Sequence, residues 1–150
     1  MNSESLAAAL EREHHEIDAG IDGYAGGRGP ELLRRSVDAL RRHIYLEEEF
    51  LFPALYDAGF AGPVLVMLRE HAQMWTTLDA LERELEVPAD GAVALCHQLS
   101  VQLQHHNMKE ERILYPEVDD LLPGPGAARL REFLDRGTLP EGWTCVHARR

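Results

Sequence analysis

Apolar residues recur at helical spacing in four long segments, and no strand-like alternation separates them. The first segment predicts a helix over residues 5 to 24, capped by Ser3 or Ser5 and stopped by the stretch AGGRG at 25 to 29. A second starts at Pro30, a favoured first-turn residue, and runs to about residue 57, ahead of Gly59. The third opens at Pro63 and ends before VPADG at 87 to 91. The fourth spans about 91 to 121, where Pro123-Gly-Pro-Gly126 ends it. Pro53 and Pro116 should kink or end the second and fourth helices. Short connections make neighbours antiparallel, so the expected fold is all-α, an up-down-up-down four-helix bundle. Residues 127 to 136 suit a short fifth helix, and 137 to 150 a tail of little periodicity. The expected division is a bundle domain over 1 to 123, then the short helix and tail over 124 to 150.

Composition narrows the class. With 150 residues, 45% of them hydrophobic, the chain suits one domain with a buried core. A net charge of -11 argues against nucleic acid and anionic membrane as partners, since both would repel it. No run of 18 apolar residues occurs and the first residues do not resemble a signal peptide, so the expectation is a soluble, cytoplasmic protein. Two cysteines, Cys96 and Cys145, are too few for a disulfide framework and are expected to be reduced.

The chemistry lies in an internal repeat. His43-Ile-Tyr-Leu-Glu47-Glu48-Glu49-Phe50-Leu51-Phe52-Pro53 and His106-Asn-Met-Lys-Glu110-Glu111-Arg112-Ile113-Leu114-Tyr115-Pro116 align without a gap as HxxxEExxL[FY]P. Helices 1 and 3 share Arg12-Glu13-His14 and Arg69-Glu70-His71, each followed by apolar residues at plus three and plus seven. The chain is therefore two helical hairpins of one design. Residues four apart share a helix face, so His43 with Glu47 and His106 with Glu110 each project as a pair. Phe50 and Ile113, seven beyond each histidine, would extend that face inward. Glu48 and Glu111 fall about 140° away and would meet a neighbouring helix edge or water. One such His/Glu pair is ordinarily a surface contact. Four imidazoles and two carboxylates in one core layer are different, because buried charge needs a partner or a metal.

These motifs resemble the hemerythrin HHE cation-binding family over about residues 5 to 120. The resemblance implies that Glu47 and Glu110 bridge two iron (Fe) ions, together with an oxo or hydroxo bridge, and that His14, His43, His71 and His106 cap them. His14 is preferred because it matches His71 and shares its face with Ile17 and Ile21; His15 is the alternative. The chain departs from oxygen-carrying hemerythrins by Trp75, where they place a further histidine, and by HxxxE in place of HxxxxD in the last helix. The four-His, two-Glu set is similar to that of iron-sulfur-cluster-repair di-iron proteins and of the iron-responsive hemerythrin domain of an F-box protein. It implies an open position on each metal, and a small diatomic ligand (O2 or NO) or peroxide as partner.

Imidazole with carboxylate also suits Mn or Zn, and the lack of thiolates argues against copper(I) and iron-sulfur clusters. A ferritin-like site is a poor fit, because only Glu11 and His14 have the Glu-x-x-His spacing. An interaction module with a structural metal such as zinc, and an enzyme acting on peroxide, are the competing readings. Trp75 is expected to fill core volume beside the site, and Asp18, four after His14, is a candidate acceptor for that imidazole. Tyr24 and Tyr115 attract no role. His97 and His105 fall off the ligand faces, and Cys145 with His147 lack enough companions for a metal site.

Overall fold

A computed structural model describes residues 4–25, 27, 29–86 and 91–149. Its elements are α1 (Leu6–Ala25), α2 (Pro30–Leu46), a π-helical turn (Glu47–Leu51), α3 (Phe52–Leu55), a second π turn (Tyr56–Phe60), α4 (Ala61–Glu86), α5 (Gly91–Lys109), a third π turn (Glu110–Leu114), α6 (Tyr115–Leu121), α7 (Gly124–Arg136) and a 3-10 turn (Val146–Ala148). The described residues contain no strand, and the fold is the expected all-α four-helix bundle. The bundle forms a ring in which α1 packs on α2 and α5, and α4 packs on α5 and α2.

Local signals act as physical chemistry requires. Ser5 Oγ accepts from Ala8 N at 3.0 Å and so caps α1, while Ser3 lies outside the described residues. Leu6 N and Ala7 N donate to Asp119, which ties that helix start to α6. On α1, a Cβ at Gly20 would meet Ser36 Oγ at 1.6 Å, so glycine lets α1 and α2 approach closely there. Between α3 and α4 the chain turns at Gly59 with φ 107, a left-handed conformation that favours glycine. The most apolar 18-residue window, of mean hydropathy 1.5, lies within Pro30–Glu86, a stretch that this turn interrupts. The expected stop at 87–90 lies outside the described residues.

The prolines modify rather than end their helices. Pro53 and Pro116 have no N–H, and the preceding turn widens so that Phe52 N bonds Glu47 O and Tyr115 N bonds Glu110 O, five residues back. Each π turn adds one residue to the helical register. The inward positions move accordingly: Leu51 and Leu114 are buried, Phe50 is half-buried against Phe133, and Ile113 is 45% exposed. The expectation that Phe50 and Ile113 continue the inner face is corrected for this reason.

Two apolar clusters make the core, one centred on Ile17, Leu40, Met74 and Leu99, the other on Leu10, Leu51, Met67 and Leu114. The tail does not hang free. Cys145 is fully buried in the first cluster, and Trp143 meets Tyr45 and Trp75 edge-on. Trp75 is buried under the Arg41 guanidinium, 4.4 Å from its ring centre. Burial raises the thiols, Cys96 to about 11 and Cys145 to about 12, so both are neutral at ordinary pH. His147 is exposed and does not join Cys145 in a buried site.

Candidate metal centre

Between the two apolar clusters lies one polar layer. His14 follows Leu10 and precedes Ile17, His43 sits between Leu40 and Leu46, and His71 between Met67 and Met74. His14, His43, His71, His106, Glu47 and Glu110 are all at most 2% exposed. His15, the alternative to His14, is exposed, as are His97 and His105. Burying six ionisable groups costs several kcal/mol per ion unless they are paired or bound to a cation.

The layer divides into two groups of four that could each hold a metal ion. His14, His43, Glu47 and Glu110 form one, and Glu47, His71, His106 and Glu110 the other, with donor atoms in each within 4.8 Å of one another. Glu47 and Glu110 belong to both, and each group adds two imidazoles. Their inward nitrogens are close to the carboxylates: His14 Nε2 is 3.1 Å from Glu110 Oε1, His71 Nε2 3.1 Å from Glu47 Oε1, and His106 Nε2 3.2 Å from Glu110 Oε2.

Around the layer runs a closed ring of carboxylates. His43 Nδ1 pairs with Glu13 at 2.9 Å, His71 Nδ1 with Glu48 at 2.7 Å, His106 Nδ1 with Glu70 at 3.0 Å and His14 Nδ1 with Glu111 at 2.8 Å. Each glutamate comes from the neighbouring segment of the bundle, so all four segments are linked through the site. The pairing holds Nδ1–H outward and presents Nε2 inward, the orientation that metal-bound histidines need. Three of these carboxylates are held in turn: Glu13 by Arg42, Glu70 by Lys109, and Glu48 by the backbone N–H of Val146 in the tail. Arg42 also donates to the carbonyls of Phe133, Leu134 and Gly137 at the end of α7.

One expectation is corrected here. Asp18 does not bond His14, because Glu111 already occupies Nδ1; Asp18 lines a polar cleft of about 500 Å³ with His15, Asp22 and Glu111. Glu48 and Glu111 do meet a neighbouring helix edge, and that edge carries a ligand-type histidine in each case. One signal for all four outer carboxylates was in the repeat, where a glutamate adjoins the candidate donor in all four segments: Glu13, Glu48, Glu70 and Glu111.

Tyr115 is the residue that spacing concealed. It is fully buried, and its hydroxyl lies 2.9 Å from His14 Nε2 and 3.0 Å from His43 Nε2, and donates to Glu47 at 2.7 Å or Glu110 at 3.3 Å. On an unbroken α-helix the ninth residue after His106 would face about 180° away; the extra residue of the π turn brings it to about 80°. Its ring stacks on His14 with centroids 5.2 Å apart. At the same repeat position Phe52 stacks on His71 at 5.4 Å.

The electrostatics follow from burial and pairing. Burial pushes the imidazoles of His43, His71 and His106 down, but the carboxylates outweigh it: Glu47 and Glu13 hold His43 well up, Glu47 and Glu48 raise His71, and Glu110 with Glu70 brings His106 to about 10. Burial pushes Glu47 up, and the charge of His43 together with hydrogen bonding to Glu110, His43 and His71 more than offsets it, leaving Glu47 well down. Glu70, opposed by burial but bonded to His106 and Lys109, falls to about 2. Burial, then Glu110 and Glu47, keeps the Tyr115 phenol far above its usual value.

The residues fit a metal pair by an observation of their own. His106 Nε2 and Glu110 Oε2 are buried without a hydrogen-bond partner, although they face each other. Buried polar atoms of this kind ordinarily have a partner, and a cation between them would supply one. The donor set is all nitrogen and oxygen, suited to iron, manganese or zinc. A family model described as the hemerythrin HHE cation-binding domain matches residues 5–118. No curated protein and no solved structure matches the chain significantly.

Proposed function

The chain belongs to the hemerythrin HHE cation-binding domain family, and on that premise we propose that its six inner donors hold two iron ions that bind or process O2, NO or peroxide. The observation that carries this reading is the sharing of Glu47 and Glu110 by two groups that each add two imidazoles. A donor set of that size leaves each ion short of a full octahedral shell, so small molecules have a position to take. When bound, an iron pair supplies two adjacent redox-active Lewis acids.

The chain's own residues do the rest. Glu13, Glu48, Glu70 and Glu111 orient the four imidazoles through their Nδ1 atoms. The apolar clusters above and below the layer keep bulk water out and fix the rotamers of the donors. Iron is favoured by family, since the ligand chemistry alone also accepts zinc or manganese.

Anaerobic loading with Fe(II), metal counting, and absorption spectra before and after O2, NO or peroxide test the reading. About two irons per chain are expected, as in other paired-metal sites, with a spectrum that changes on exposure to at least one of the three. A protein that takes up zinc in preference, gains thermal stability from it and shows no spectral response would instead be a scaffold with a structural metal.

A further inference from the structure

We propose that Tyr115 is a seventh ligand, its phenolate oxygen binding the ion held by His14 and His43, so that the ion held by His71 and His106 keeps the open position. The inference rests on the metal-pair reading above and adds an asymmetry to it.

The placement of one atom carries the argument. The Tyr115 oxygen contacts all four donors of the His14/His43 group, at 2.7 to 3.3 Å. It therefore lies within hydrogen-bond distance of every donor that a cation would bind there, the spacing of neighbouring ligands around one ion. A hydroxyl held only as a hydrogen-bond donor can satisfy one of the two carboxylates at a time. An oxygen aimed at four metal-type donors at once is instead placed as a further donor to the same cation, with its proton lost to solvent when the metal enters, as for other protonated ligands.

The ring has nowhere else to go. Tyr115 is fully buried, its ring is stacked on His14, and its backbone is fixed by the π turn and by Pro116. A cation entering the His14/His43 group must meet this oxygen. In the other group the same repeat position is Phe52, which offers no oxygen, and His106 Nε2 and Glu110 Oε2, 3.2 Å apart, are left without a hydrogen bond. One metal thus gains an oxygen donor that its neighbour lacks. The other three tyrosines do not compete for the role: Tyr56 is 47% exposed, Tyr45 packs on Phe50, Phe133 and Trp143, and Tyr24 is half-buried against the cluster centred on Ile17 and Leu40.

The test uses the full chain loaded with Fe(II) and oxidised in air, its metal counted first. A phenolate bound to iron(III) gives a visible charge-transfer band, and resonance Raman excited in that band shows tyrosine ring modes. Both are expected in the wild type, with ring modes that shift when ring-deuterated tyrosine is incorporated. Tyr115→Phe, which installs the ring that the other half already uses, should keep both irons and lose the band entirely. Phe52→Tyr should strengthen the band. A wild type with two irons and no phenolate band, or a band that survives in Tyr115→Phe, overturns the proposal. Failure to bind two metals overturns the metal-pair reading itself and is seen in the count, before any spectrum. Should Tyr115→Phe fail to fold, the deuterium shift in the wild type decides alone.

Discussion

The half of the layer around His14 and His43 and the half around His71 and His106 come from one repeated design. In each, two imidazoles tilt together with centroids 4.8 Å apart, an aromatic ring from the [FY]P motif stacks on one of them, and both Nδ1 atoms are held by glutamates. They differ in two ways. Tyr115 fills the first half with a hydroxyl, whereas in the second, beside Phe52, His106 Nε2 and Glu110 Oε2 have no hydrogen bond. The outer carboxylates also differ, since the Glu111 side chain is 30% exposed at the polar cleft and that of Glu48 is 5% exposed under the tail. The second half is closed outside and open inside; the first is the reverse. Repetition builds the frame, and single substitutions within it decide where a small molecule can bind.

The largest effect should come from removing what the halves share. Glu47→Gln keeps the shape but removes the carboxylate common to both groups. Metal content should fall from about two ions to fewer than one per chain, and added metal should no longer raise the melting temperature, as it would for a ligand that binds only the folded state. Two tightly bound ions in this variant would mean that the groups do not share it. Next come the single halves. His106→Ala should leave about one iron, with the visible phenolate band intact, and His43→Ala about one iron without it. Identical spectra for the two variants would show that the halves are equivalent.

How much of this was legible in the sequence depends on whether the signal was local. Four helices and the pairs His43/Glu47 and His106/Glu110 follow from spacing within one helix, and the shared Arg-Glu-His triplet placed His14 and His71 beside them. The π turns were not legible. Pro53 and Pro116 announced a disturbance, but a proline can end, kink or widen a helix, and only packing selects among these. That one-residue shift misplaced Phe50 and Ile113 and hid Tyr115. The outer carboxylates were missed because each serves a histidine on a different segment, a relation that no periodicity within one helix can show.

The outer ring offers a finer probe of the comparison. Glu48→Gln and Glu111→Gln each keep an acceptor for Nδ1–H but remove the charge. Loss of such a partner typically weakens metal binding about 10- to 100-fold. Glu48, buried and held by Val146, should fall toward the upper end, and Glu111, screened by the cleft's water, toward the lower. Competition with a chelator of known affinity measures both. Equal losses would mean that exposure does not distinguish the two halves.

The smallest effect concerns protons in place of metal. In chelator-treated protein, His43, His71 and His106 are held above the ordinary value of about 6.5, so their protonated forms favour folding. That contribution is complete below about pH 6.5 and is lost as pH rises through the folded values, about 10 for His106. On the acid side Glu13 and Glu70 are held low, so their contribution is present above the unfolded value of about 4.3 and is lost as pH falls, toward about 2 for Glu70. The melting temperature of the metal-free chain should therefore peak between about pH 4.5 and 6.5 and decline by a few degrees toward pH 9. Metal reverses the alkaline slope, because its ligands bind as neutral imidazoles and raising the pH removes the competing protons. A metal-free profile that is flat from pH 6 to 9, or one that metal leaves unchanged, would mean that these imidazoles do not exchange a proton for a cation.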